Sequence, residues 1–215
     1  MQIVRRNADE TDFLDGRSAV WDNVPGHDLA LMPSPLPMAS AVSPFMALRT
    51  DHGKIDRLGV KLAHNGRTLN IRLEWADPSR DDKIRDLDQF TDGAAIVFPL
   101  AAGASALTMG APGGPVNAWL WKADRAEPFD VFAQGYATSE RRPAAYSNLK
   151  AAAQHDNGSW IVVFQRPLIA AGHGQAVLRP GTQSGIAFAI WEGANKERSG
   201  EKAISGDFQS IGIEA

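Results

Sequence analysis

Residues 54–77, KIDRLGVKLAHNGRTLNIRLEWAD, constrain the fold more than any other part of the sequence. Apolar residues alternate with polar ones on both sides of Asn65-Gly66. In a β-strand this alternation places the apolar side chains on one face, and Asn-Gly is a preferred turn between antiparallel strands. The segment therefore predicts a β-hairpin with one buried face.

Further strands are predicted where short apolar runs are bounded by Gly, Pro, Asn or Asp. These runs are residues 94–100, 117–123, 159–168 and 184–193. Only residues 146–155, YSNLKAAAQH, have a helix-like composition, and no amphipathic helix joins successive strands. We therefore predict an all-β fold, an antiparallel β-sandwich with long loops and one or two short helices, and a single domain formed by residues 1–215.

Prolines are concentrated between residues 24 and 45, at Pro25, Pro33, Pro35, Pro37 and Pro44. Proline lacks the backbone N–H that a helix needs, and it also restricts the residue before it. This segment is therefore predicted to be an extended arm that lies across the fold.

Composition excludes several classes of protein. The net charge of -3 gives no basic surface for nucleic acid or an anionic membrane. The absence of cysteine excludes disulfides, cysteine-ligated iron–sulfur clusters and the covalent attachment of c-type haem. No apolar run approaches the roughly 20 residues of a membrane span. The first ten residues, MQIVRRNADE, lack the apolar stretch of a signal peptide.

Residues 77–92, DPSRDDKIRDLDQFTD, are rich in aspartate. Carboxylates can bind a cation, but the segment lacks the alternating ligand spacing and the glycine of a calcium-binding loop. We therefore predict a solvated loop or a short helix.

Met109 lies in a loop rich in Gly and Pro that precedes a strand carrying Trp119 and Trp121. One interpretation is that the methionine fills a gap under the loop, since flexible Met side chains often do so. The other is that its thioether binds haem iron or copper(I). The two tryptophans share one face of their strand and can belong to the core, to a sugar-stacking surface or to a cofactor pocket.

Lys202 follows a polar loop that leaves the strand ending near Trp191. A lysine at such a position is ordinarily exposed, with its aliphatic stem packed against the surface. To bind a metal it must lose its proton, and its ordinary pKa is about 10.4. Burial and competition from the metal would lower that pKa.

Six stretches, in order along the chain, resemble the haem b-binding γ subunits of periplasmic molybdenum enzymes of the dimethyl sulfoxide reductase family. These enzymes include ethylbenzene dehydrogenase, dimethylsulfide dehydrogenase, selenate reductase and chlorate reductase. The matching stretches are AVWDNVP, LEWADPS, DGAAIVFPL, TMGAPGGPVNAWLWKAD, GSWIVVFQRPL and FAIWEGANKERSGEKAIS.

The resemblance implies a β-sandwich that binds one haem b, non-covalently, between a methionine and a lysine. On this sequence the methionine is Met109 and the lysine is Lys202. Lys196 lies in the same loop, but it occupies what resembles a variable position. The resemblance also implies that the strand carrying Trp119 and Trp121 helps to form the wall of the haem pocket.

The same resemblance implies a non-catalytic electron-transfer subunit located in the periplasm. It would pass electrons between an iron–sulfur β subunit, which accompanies a molybdenum catalytic α subunit, and a soluble c-type cytochrome. With both axial positions of the iron occupied, the haem would have no open site for a substrate. The alternatives are a carbohydrate-binding module without haem, a haemless scaffold subunit and a free-standing haem b carrier.

Overall fold

The structure is a computed structural model and describes residues 1–35, 48–170 and 172–215. Its short helical segments are α1 (Glu10–Leu14) and two 3-10 turns, Ala19–Trp21 and Ala144–Tyr146. The strands are β1 (Gln2–Arg5), β2 (Gly26–Ala30), β3 (Met32–Pro33), β4 (Arg57–His64), β5 (Thr68–Ala76), β6 (Gly93–Pro99), β7 (Val116–Lys122), β8 (Phe129–Ala133), β9 (Glu140–Arg142), β10 (Lys150–Asp156), β11 (Ser159–Pro167), β12 (Gln183–Trp191), β13 (Ala203–Ile204) and β14 (Gln209–Ile213). Within these residues, no helix is long and apolar enough to cross a membrane.

The strands form two packed layers. The first layer has the order β10–β11–β5–β4, with β2 paired to β4, and the second has the order β14–β12–β6–β7–β8–β9. Strand β1 links the layers because it pairs in parallel with both β4 and β14, whereas the other pairs are antiparallel. This arrangement confirms the predicted β-sandwich, with β1 as the one element that departs from antiparallel pairing among the described strands.

The predicted hairpin is confirmed as β4 and β5. Val60 pairs with Leu73 and Leu62 with Ile71, so the alternating apolar side chains lie on one buried face. The turn depends on Asn65, whose side-chain oxygen accepts hydrogen bonds from the backbone N–H groups of residues 67 and 68 at 3.0 and 2.9 Å. Gly66 adopts a φ of 87°, which glycine tolerates better than other residues.

Aromatic side chains from both layers meet in the core between them. Trp121 of β7 packs edge-on against Trp160 of β11, with ring centroids 5.0 Å apart. Trp119 lies 6.5 Å from Phe164 by the same measure and is fully buried. These contacts join the two layers because each side chain reaches across the interface between the sheets.

The four other predicted strands are confirmed as β6, β7, β11 and β12, but the predicted helix at residues 146–155 is wrong. Its alanine-rich part is β10, and each of the seven residues of β10 pairs with a residue of β11. The free edge of β11 therefore determines the conformation, because tertiary pairing outweighs even the strong intrinsic helix preference of alanine.

The proline-rich segment is extended where the structure describes it. Strand β2 pairs with β4, and β3, which ends at Pro33, pairs with β13. The predicted arm therefore crosses from the first layer to the second. Pro37 and Pro44 lie outside the described residues.

Candidate functional site

A cavity of about 520 Å³ lies on the face of the second layer that points away from the aromatic core. Its floor consists of small side chains that alternate with core residues along β6, β7 and β12. Large residues at these positions would fill the cavity, whereas glycine, alanine and valine leave the sheet surface recessed. The floor residues are Gly93, Ala95, Val97, Ala118, Ala187 and Ala189.

Trp119 and Trp121 belong to the core, which was one of the three alternatives for them, and other residues of the strand that carries them line the cavity. The two tryptophans alternate along β7 with Ala118, Leu120 and Lys122, which do line it. Because successive side chains of a strand point to opposite faces, the tryptophans lie in the core instead. Trp191, at the end of β12, contributes an aromatic ring to the cavity.

Met109 lines the cavity from the loop between β6 and β7. Its side chain is half-buried against the apolar residues Val97, Ala118 and Val131. Its backbone has a φ of 57°, which is uncommon for a residue other than glycine. The loop holds this conformation through hydrogen bonds, one of which runs from the N–H of Gly135 to the carbonyl of Met109 at 2.9 Å.

Gly110 fixes the position of this loop. It has a φ of 86°, and a Cβ atom there would lie 2.9 Å from the carbonyl oxygens of Ala133 and Gly114. Such a distance leaves no room for any other residue without movement of the backbone. The sequence therefore needs glycine directly after Met109 to bring the loop down onto β8.

Lys202 lines the same cavity from the loop between β12 and β13. Its Nζ lies 5.0 Å from the centre of the Trp191 ring, and its backbone carbonyl accepts a hydrogen bond from the N–H of Ser34 at 2.9 Å. Burial lowers the pKa of Lys202 to about 8. Among the described residues, its Nζ has neither an ion-pair partner nor a hydrogen-bond acceptor.

Lys196 is placed differently from Lys202. Its Nζ donates a 2.6 Å hydrogen bond to Asp88, and its side chain is exposed. It is absent from the residues that line the cavity. The structure thus brings Met109 together with Lys202 and leaves Lys196 on the outer surface.

Basic side chains, which sequence reasoning did not identify, also line the cavity. Lys122, Arg141 and Arg198 accompany Lys202, whereas the acidic lining residues are Glu197 and Glu201. Lys122 continues the cavity-facing alternation of β7, which is the one signal in the sequence that could have revealed it. The cavity therefore suits a largely apolar ligand that carries negative groups.

Sequence comparison identifies the family to which the chain belongs. The sequence model of the family described as ethylbenzene dehydrogenase matches residues 18–147 and 142–203. The chain belongs to this family. The chlorate reductase γ subunit of Ideonella dechloratans is 31% identical over 195 residues, which cover 90% of this chain and 77% of that subunit. The dimethylsulfide dehydrogenase γ subunit of Rhodovulum sulfidophilum is 34% identical over 198 residues, which cover 89% of this chain and 72% of that subunit.

A third relative in the family is named as a respiratory nitrate reductase heme subunit from Haloferax mediterranei. It is 33% identical over 191 residues, which cover 87% of this chain. The chain spans 64% of the length of that relative. Because the relatives of the family are γ or heme subunits of oxidoreductases, this chain is of the non-catalytic subunit type.

Solved structures share the fold at low sequence identity. A family 9 carbohydrate-binding module from Caldicellulosiruptor kristjanssonii in complex with glucose has a TM-score of 0.52 and 12% identity, covering 100% of this chain and 96% of the module. A protein described as carbohydrate-binding from Bacteroides uniformis has a TM-score of 0.61 and 10% identity, covering 100% and 98%. The likeness concerns the sandwich alone, and Trp119 and Trp121 are too deeply buried, at 0% and 4% exposed, to form a sugar-stacking surface.

Proposed function

We propose that this chain is an electron-transfer subunit that binds one haem b in the cavity, with Met109 and Lys202 as the residues that would bind the iron. The observation that carries the proposal is that these two side chains, which belong to different loops, line one cavity. Residues 1–215 would act as a single haem-carrying domain.

The donor groups suit haem iron. A thioether and a neutral amine both carry a lone pair that iron accepts. Protonation of Lys202 competes with binding, but burial has already lowered its pKa to about 8. Since no described carboxylate holds its Nζ in an ion pair, the amine is free to bind the metal.

The walls suit the ring of the haem. The small residues of the floor leave a recessed apolar surface on which a flat macrocycle can lie. Haem b also carries two propionate carboxylates. Lys122, Arg141 and Arg198 offer positive charge to these groups.

The bound haem would supply a reversible one-electron change. Met109 and Lys202 would both bind the iron, and the haem would then carry electrons without binding a substrate or oxygen. A thioether ligand favours the ferrous state and raises the reduction potential. The apolar floor would exclude water and add to this effect.

The proposed partners follow from the resemblance to the γ subunits of molybdenum enzymes. As a γ-type subunit, the chain would dock onto an iron–sulfur β subunit of a complex whose α subunit contains molybdenum. It would exchange electrons with a soluble c-type cytochrome in the periplasm. The family relationship to the chlorate reductase and dimethylsulfide dehydrogenase γ subunits supports this proposal.

Absorption spectra of the purified chain, reconstituted with haem and measured oxidised and dithionite-reduced, test the proposal. We expect a low-spin b-type spectrum that Met109→Leu and Lys202→Ala each convert toward high spin. Met32→Leu, at an exposed methionine of β3, and Lys196→Ala are the matched controls and should leave the spectrum unchanged.

Two outcomes would contradict the proposal. A chain that remains colourless after incubation with haem would exclude the electron-carrier function. A haem spectrum that survives both ligand substitutions unchanged would mean that other residues bind the iron.

A further inference from the structure

Three acidic side chains meet at a second place in the fold, outside the cavity. Asp77 follows β5, Asp92 precedes β6 and Glu192 follows β12, and all three are buried. One carboxylate oxygen from each lies within 4.8 Å of the others. The ends of the aspartate-rich segment are therefore buried together, although its middle is exposed as predicted for a solvated loop.

The cluster has more acceptors than donors. The hydroxyl of Ser79 lies 3.0 Å from Asp77, 2.7 Å from Asp81 and 3.3 Å from Glu192, in each case measured to a carboxylate oxygen. A hydroxyl has one proton and can donate it to only one of the three. The remaining oxygen–oxygen contacts are repulsive unless something positive lies between them.

One carboxylate oxygen of the cluster is buried without a hydrogen-bond partner. Asp77 is 0% exposed, and its Oδ2 has no hydrogen-bond partner among the described residues. Leaving a buried carboxylate oxygen unpaired is costly, so native proteins almost always satisfy it. No described lysine or arginine forms an ion pair with Asp77, Asp92 or Glu192.

Asp92 is held rigidly in place. The indole N–H of Trp160 donates to its Oδ2 at 3.0 Å, and the backbone N–H of Gly193 donates to its Oδ1 at 2.8 Å. Hydrogen bonds of this kind favour the ionised carboxylate, whereas burial opposes it. Burial, together with the charge of neighbouring carboxylates, raises the pKa of Asp92 to about 6 and that of Glu192 to about 7.

We propose that Asp77, Asp92 and Glu192, with the hydroxyl of Ser79, form a binding site for one calcium ion. All the proposed metal ligands are oxygen atoms, which hard divalent cations prefer. The cluster of acidic groups contains no histidine or cysteine that would favour zinc or copper. Calcium suits it better than magnesium, because calcium accepts six to eight protein oxygens in irregular geometry.

Calcium at this site would join parts of the chain that are distant in sequence. It would fix the loop between β5 and β6 to the end of β12. Glu192 also begins the loop that carries Lys202, and its backbone N–H already donates to Glu197 at 3.1 Å. The ion would thus stabilise the base of that loop without being part of the haem cavity.

Calorimetric titration of the chelator-treated, haem-free full chain with calcium chloride tests the inference. We expect saturable binding of one ion, and an increase in Tm of about 5 °C or more at calcium concentrations far above the Kd. Asp77→Asn keeps the shape of the side chain and should weaken binding about tenfold or more. Asp86→Asn removes the same charge from the exposed part of the same loop and should bind like the unmodified chain.

The titration of the unmodified chain tests calcium binding even if the variant folds poorly. Absence of binding heat, together with a Tm that neither chelator nor calcium changes, would overturn the inference. The three carboxyl groups would then be stabilised by bound protons and not by a metal ion. Equal calcium affinity in Asp77→Asn and the unmodified chain would also overturn it. Because haem is absent from the experiment, its result does not depend on the proposed function.

Discussion

The two faces of the second layer differ in the size of their side chains. On the inner face, β7 presents Trp119 and Trp121, which pack against the first layer. On the outer face the same strand presents Ala118, Leu120 and Lys122, which line the cavity. One strand of seven residues thus contributes to both the core and the candidate site.

This difference shows how a sandwich can carry a deep site without losing its core. The inner face supplies the hydrophobic stabilisation because large aromatic rings bury the most apolar surface. The outer face contributes less to stability, and its small residues leave space for a ligand. Substitutions on the two faces should therefore separate stability from haem binding.

The largest effect is expected from Trp119→Ala on the inner face. Trp119 is fully buried and its ring centroid lies 4.9 Å from that of Phe98, so the substitution leaves a large void. The free energy of unfolding should fall by about 3–5 kcal/mol in denaturant titrations. Trp191→Ala on the outer face is the comparison, and an equal loss there would contradict the distinction between the faces.

A smaller effect is expected from Gly110→Ala, which alters the loop that holds Met109. The left-handed backbone costs alanine about 1–2 kcal/mol, and contact with two carbonyl oxygens adds to this. Gly113→Ala is a matched control because Gly113 also has a positive φ of 80° but has open space around it. If both variants unfold at the same denaturant concentration, the close approach of the loop to β8 does not contribute to the free energy of unfolding.

Ala118→Phe should change stability by only about 1 kcal/mol and yet prevent haem binding. The new ring would project into the cavity, where space is available, so little strain should result. Haem titration followed by absorbance measures the loss. Ala153→Phe on the exposed edge of β10 should bind haem normally, and retention of haem by Ala118→Phe would place the ligand elsewhere.

The smallest effect on stability is expected from Arg141→Gln at the border of the cavity. The free energy of unfolding should stay within about 0.5 kcal/mol of the original value. Transfer of haem to apomyoglobin should become a few times faster, because the cavity loses one of the positive charges proposed to bind the propionates. Arg179→Gln, at an exposed arginine outside the cavity lining, should transfer haem at the original rate.

Much of the fold was predictable because its signals are local. The register of β4 and β5 follows from alternation around Asn65-Gly66, and both features act within a few residues. The alanine-rich part of 146–155 misled the prediction because its conformation depends on β11, which offers a free edge from a different part of the sequence.

The candidate site was predictable only in part. The resemblance singled out Met109 and Lys202, and their roles as ligands remain a prediction that the proposed spectra test. Residues such as Lys122 and Arg141 carry no motif, since their importance arises from the face on which they lie. The acidic cluster was missed because Glu192 is far from Asp77 and Asp92 in the sequence and no ligand spacing connects them.

By itself, the sequence determined the hairpin with its turn, four further strands and the family, because alternation, turn chemistry and matching stretches are properties of neighbouring residues. Only the tertiary structure decided which face of β7 is core and which is cavity, because period-two alternation is the same for both faces. It also decided which distant side chains meet. Burial and close approach are created by the packing of whole layers, and it is these that lower the pKa of Lys202 and raise that of Glu192.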